Sequence, residues 1–194
     1  MNKPPVIAIA ALLAAAALVF AAFSSKWLAN SGTAGSISMG LLSTTECGVA
    51  GIQMVANETD CVTTGNAAYN DAWKEANQPN SSTFAVAGKI TLVAMLVAAL
   101  GLTGAGLLGF KKTKPQLPIS PSSIALLGLM ISFISGCVFV ATKPGPNGLA
   151  GVSLSFVVFG AAGVLGLFVA IQLSKLNRPT DPDLLDDAMN PDNF

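Results

Sequence analysis

The chain has 194 residues, with ten Lys plus Arg against ten Asp plus Glu, no histidine, and 52% hydrophobic residues. A neutral balance supplies no whole-molecule pull toward nucleic acid or an acidic surface, so no nucleic-acid partner is expected. The absence of histidine removes the commonest ligand of haem and transition metals, and no cofactor is expected.

Residues 1–4 read as a short cytoplasmic start and 5–23 as a first membrane span. Lys3, the apolar run and small residues around Phe20 to Ser25 would also suit a secretory signal. A signal core is usually shorter than this run, so a retained helix is expected. Ala8, Ala10, Ala11, Ala14 to Ala17, Ala21 and Ala22 make it a slim helix that neighbours can approach closely. Residues 86–110, 124–141 and 149–173 form three more apolar runs, and the four together contain no acid and a single base, Lys89. Each is long enough to cross a hydrocarbon core of roughly 30 Å at about 1.5 Å per residue.

Residues 24–85 are too polar for a span and too long for a connector. Ser36 to Met39, Cys47 to Val55 and Cys61 to Thr64 read as short strands, and Asn66 to Asn77 as a short helix before Pro79. Cys47 and Cys61 fall outside the cytoplasm on this topology and are a disulfide pair closing a loop of about 15 residues, worth around 3 kcal/mol. Cys137, in the third span, is expected to pack as a small apolar residue. Trp27 is assigned to the outer interface and to packing under the sheet. Asn57-Glu58-Thr59 and Asn80-Ser81-Ser82 match the glycosylation sequon. Glu46, Glu58, Asp60 and Asp71 are expected to be solvated loop charges.

Within the spans, small residues recur four apart: Gly101, Ala105 and Gly109; Gly128, Ser132 and Gly136; Ala162 and Gly166. Each set lies on one helical face, the pattern of close helix packing in a bilayer. Lys89, in the first turn of the second span, can snorkel to the interface. Thr91, Thr103, Ser132, Ser135, Ser153 and Ser155 are expected to bond helix carbonyls. Gly101-Leu102-Thr103-Gly104-Ala105-Gly106 looks like a glycine-rich phosphate loop but has no preceding strand.

Residues 111–123 are a cytoplasmic loop whose Lys111, Lys112 and Lys114 suit anionic lipid heads, and Ser120-Pro121 fits a helix start. Residues 142–148, with Lys143, form an outer turn too short for a second domain. Residues 174–194, with Pro179, Pro182, Pro191 and five aspartates, form an acidic cytoplasmic tail. Lys3, Lys111, Lys112, Lys114, Lys175 and Arg178 lie on one side of the spans. Lys26, Lys74, Lys89 and Lys143 lie on the other, which includes the long loop, so both termini are placed in the cytoplasm. The membrane is expected to be a plasma or inner membrane.

Trp27, then Gly40-Leu41-Leu42, then Cys47 and Cys61 in one large outer loop, followed by three closely spaced spans, resembles the claudin and peripheral myelin protein superfamily. Its signature is a tryptophan, a Gly-Leu-Trp and two cysteines. Phe84 to Ile90, with Lys89 near the usual basic position, and Gly151 to Leu154 resemble its entries to the second and fourth spans. Leu42 replaces the signature tryptophan, and 13 residues separate the cysteines. The resemblance implies a left-handed four-helix bundle topped by a small antiparallel sheet carrying the disulfide. Composition and resemblance together give an all-α membrane class, a four-transmembrane-helix bundle with a disulfide-stapled extracytoplasmic β-sheet in its first loop.

Enzymes and coupled transporters place ionisable groups inside the membrane, and this chain places none there beyond Lys89. No nucleophile with a base and no metal-ligand cluster stands out, so neither catalysis nor a small-molecule substrate is expected. The expected role is a non-catalytic accessory or scaffold subunit of a larger membrane complex, acting through small-residue helix faces and the outer loop domain. Its partners are then membrane lipid and other membrane subunits or itself. A claudin-like cell-contact or barrier protein that polymerises laterally is the alternative, and a small channel or transporter the third.

Overall fold

A computed structural model describes residues 4–32, 35–48, 52, 60–110 and 119–176. Its helices are α1 (Pro4–Ala22), α2 (Asn66–Glu75), α3 (Thr83–Gly109), α4 (Pro121–Ala141) and α5 (Leu154–Leu176). Its strands are β1 (Leu28–Gly32), β2 (Gly35–Met39), β3 (Ser43–Gly48), β4 (Cys61–Gly65) and β5 (Gly151–Val152).

Four helices, α1, α3, α4 and α5, are long and apolar enough to cross a membrane. They are apolar all round, so their sequences do not distinguish an inner from an outer face by polarity. Side-chain size makes the distinction instead. Alanine and glycine line the inside, while Leu13, Leu100, Ile134, Val164 and Phe168 point outward. A Cβ on Gly101 would lie 2.6 Å from the Ala125 nitrogen, and one on Gly128 would lie 2.7 Å from the Ala98 nitrogen, so α3 and α4 touch backbone to backbone. Gly109 meets Ala8 of α1 and Leu173 of α5, Gly136 meets Phe159 of α5 and Thr91 of α3, and Gly166 meets Leu102 and Leu129. Ala105, Ser132 and Ala162 are buried as well.

The predicted small-residue stripes are therefore all consumed within this one bundle. Elsewhere on the bundle a small residue stays open, since nothing lies within 4 Å of a Cβ on Gly160 of α5. Thr91, Thr103, Ser132 and Ser135 donate to carbonyls within their own helices, at 2.7 to 2.9 Å, as expected of hydroxyls in apolar helices. Ser120 caps α4 by accepting from the Ser123 amide at 3.1 Å, with Pro121 in the first turn.

Helix ends differ from the sequence reading by a few residues. α3 and α4 each start three residues earlier than the apolar runs, because capping and turn residues extend a helix beyond its hydrophobic part. Lys89 accordingly lies in the second turn of α3. Cys137 faces outward from α4 instead of packing inside.

The sheet is antiparallel throughout, in the order β4-β3-β2-β1-β5. Two of its strands were not anticipated. β1 carries Ala29, Asn30, Ser31 and Gly32, a polar run with low strand propensity, and forms because it pairs on both sides. β5 has two residues and lies inside the stretch expected to open the fourth span, so the outer turn does contribute to the sheet and α5 begins only at Leu154. β3 covers Ser43–Gly48, earlier than the predicted Cys47 to Val55; residues 49–51 and 53–59, with the Asn57 sequon, lie outside the described residues. The lysine-rich loop at 111–118 and the tail at 177–194 lie outside them too.

Candidate functional site

The sheet and its seat on the bundle form the most specific arrangement in the molecule. Alternation along the strands sorts two faces. Leu28, Ile37, Met39, Thr44 and Glu46 point down toward the helices and are buried, whereas Ser36, Ser38, Thr45 and Cys47 point away and are partly exposed. In register with the latter, β4 adds Cys61 and Thr63. The Cys47–Cys61 disulfide is formed between paired strands, with Cα atoms 4.1 Å apart, and the Thr45 and Thr63 hydroxyls hydrogen-bond at 2.8 Å beside it. Among the described residues the upper face thus carries small, uncharged side chains, and β4 is the last strand at one end of the sheet.

Beneath the sheet, where it was expected to pack, Trp27 is fully buried. Its indole N–H donates to the Ala21 carbonyl at the end of α1, at 2.6 Å. The ring packs edge-on to Phe139 and Phe156 and tilted on Phe159, at centroid distances of 6.1, 5.8 and 5.0 Å. One side chain therefore joins α1, α4, α5 and the root of β1. Gly40 and Leu41 of the family-like motif also lie at this junction. The Leu41 carbonyl rests on Gly88 of α3, and Gly40 is pressed against the backbone of Ser24 and Ser25. Leu42, at the place of the signature tryptophan, is half exposed and takes no part in the seat.

Glu46 was expected in solvent and is instead 1% exposed. Tyr69 of α2 donates to its Oε1 at 2.5 Å, and the Ile52 amide donates to the same oxygen at 3.2 Å. Next to it, Thr44 donates to Asn66 Oδ1 and Asn66 Nδ2 donates to the Gly40 carbonyl, both at 2.9 Å. The Ser81 amide donates to Asn70 Oδ1 at 2.8 Å. These side chains fasten α2 to the underside of the sheet and to the start of α3. The sequence signal for them was present: Thr44 and Glu46 share the buried parity of β3, and Asn66, Tyr69, Asn70 and Trp73 share one face of α2. Gly145, with φ +90°, lets the outer turn close over Trp73, and its amide donates to the Pro79 carbonyl at 2.8 Å. Lys143 reaches the Ala150 carbonyl in the same turn.

Burial, and then the hydrogen bond to Glu46, push the Tyr69 phenol well above its ordinary value near 10. The Trp73 indole N–H partly offsets this, although it makes no hydrogen bond of normal geometry among the described residues. A phenol whose folded pKa exceeds its unfolded one contributes stability that is whole below pH about 10 and is lost as pH climbs beyond it. Tyr69 is the single tyrosine, so tyrosinate absorbance reports on it alone. The folded protein should resist ionisation past that pH and ionise together with unfolding, and Tyr69→Phe should flatten the alkaline fall in melting temperature. Ordinary titration in the folded state would remove the buried Glu46 bond from this account.

Among the described residues, no three His, Cys, Asp or Glu side chains come together as metal ligands. The Asn80 side chain is exposed and donates to the Gln78 carbonyl. No protein-family model matches this chain, and no curated protein matches it.

Proposed function

We propose that this chain is a non-catalytic integral membrane protein, claudin-like in build, that serves as an accessory or scaffold subunit of a larger membrane complex. The observation that carries this reading is the seat of the sheet. Trp27, the Leu41–Gly88 contact and the Glu46–Tyr69 pair hold a hydroxyl-bearing face and the terminal strand β4 at one orientation to four apolar helices. Such an arrangement is suited to presenting a surface. The four helices, the antiparallel sheet and the Cys47–Cys61 bond are also the parts that the claudin resemblance implies, which supports the same reading. With the glycine stripes occupied internally, the partner is met by the upper face, the β4 edge and the outward aliphatic surface of the helices. A strand at the end of a sheet can give backbone hydrogen-bonding groups in register for such a contact.

Purification from native membrane in mild detergent should recover a second membrane protein in stoichiometric amount. A particle holding one copy of this chain and nothing else would overturn the proposal.

A further inference from the structure

Where the last turn of α1 passes the first turn of α5, at the foot of the sheet, there is an open cleft of about 650 Å³. Its chemistry is divided. The floor is Phe20, Phe23 and Leu154, which are 64%, 67% and 76% exposed. The head is Ser25 and Lys26, and no acidic residue lines any part of it. Its walls are tied together, because the Ser24 and Ser155 hydroxyls hydrogen-bond at 2.6 Å and the Ser153 hydroxyl donates to the Lys26 carbonyl. These two bonds tie the end of α1 and the root of β1 to the start of α5 at the cleft. The Ser25 hydroxyl and the Lys26 ammonium make no hydrogen bond or ion pair among the described residues.

We propose that this cleft binds one anionic phospholipid from the leaflet on the sheet side, its phosphate on Lys26 and Ser25 and an acyl chain along Phe20, Phe23 and Leu154. The division of the cleft matches the division of that molecule. A soluble anion would leave the aromatic floor bare, and a purely apolar ligand would make no use of the ammonium beside it. Aromatic rings at the boundary between headgroup and hydrocarbon, with a lysine just above them, form a surface that favours an acidic headgroup over a neutral one. Bound there, the lipid touches α1, α5 and the root of β1 at once. The inference requires membrane insertion but does not depend on the subunit role.

The full chain would be reconstituted in vesicles of phosphatidylcholine with a minor share of phosphatidylglycerol, extracted in mild detergent, and weighed with its retained lipid by native mass spectrometry. Wild type should retain one phosphatidylglycerol, preferred over phosphatidylcholine by roughly fivefold, the pull of one lysine at an anionic surface. Lys26→Gln should abolish the preference while keeping the fold, and Phe23→Ala should lower retention of both lipids. Lys89→Gln, in the separate groove between α3 and α4, should leave the preference intact. Retention of the two lipids by wild type in the same ratio as in the vesicles, or an unchanged preference in Lys26→Gln, would overturn the proposal. So would loss of preference in Lys89→Gln, which would trace it to overall charge, or displacement of the lipid by glycerol phosphate, which would reassign the cleft to a soluble anion.

Discussion

Gly88→Ala should destabilise the protein by about 3 kcal/mol or more, the upper end of what a single added methyl does in a packed core. Its Cβ would stand 2.1 Å from the Leu41 carbonyl oxygen and 3.3 Å from the Phe139 ring. The ring can shift by a few tenths of an ångström, but the carbonyl cannot rotate away. It belongs to the turn between β2 and β3, where the Gly40 amide donates to the Ser43 carbonyl at 2.8 Å and the Asn66 amide donates to the Leu42 carbonyl at 2.9 Å. On the other side, α3 is held against α4 by the close approaches at Gly101 and Gly128. Neither body can yield without losing its own contacts, so the joint between them opens. Thermal unfolding followed by tryptophan fluorescence checks this, because both indoles lie near the joint or on α2. Gly160→Ala is the control: nothing lies within 4 Å of its Cβ, and the change should be neutral or mildly stabilising through helix propensity. Equal melting of Gly88→Ala and wild type would show that sheet and bundle are not in contact at this point.

That joint also marks how far the sequence could be read. The four apolar runs were legible because nothing else explains so many consecutive residues without acid, and the helices that they predict form. The pairing of Cys47 with Cys61 was legible from topology and spacing, and the bond lies in register between β3 and β4. Strands β1 and β5 were not legible. Leu-Ala-Asn-Ser-Gly has no strand preference of its own and becomes β1 by pairing with β2 and β5, while Gly151-Val152 reads as part of an apolar run and becomes β5 only by pairing with residues more than a hundred positions away. Glu46 was misplaced for a related reason. A lone acid in a polar loop looks solvated until its strand register and the donors from Tyr69 and Ile52 are known. The small-residue stripes were legible as places of close approach, and the glycines in them do lie against neighbouring helices. Which helix they pack against is a property of the bundle, and it was invisible in any single segment.

Trp27→Ala should be the most damaging single substitution, costing about 3–5 kcal/mol for the lost ring, with the hydrogen bond to Ala21 lost in addition. The site has little means of collapsing. Phe139 is already stacked on Phe84 at a centroid distance of 4.5 Å, and Phe159 is held by Phe133 at 5.1 Å, so neither can move into the void without abandoning a neighbour. Trp27→Phe separates the two contributions. It keeps most of the apolar volume and removes the N–H donor, leaving the Ala21 carbonyl without that partner, and should cost only about 1–2 kcal/mol. Trp73 is then the one remaining tryptophan, and it reports on α2 and the outer turn that closes over it. Denaturant unfolding followed through Trp73 should rank wild type above Trp27→Phe and Trp27→Ala well below both. If Trp27→Ala instead unfolds at the same denaturant concentration as Trp27→Phe, the ring's volume contributes nothing measurable. The sheet must then be anchored through the Leu41–Gly88 contact and the Glu46–Tyr69 pair, and Gly88→Ala would become the larger of the two effects.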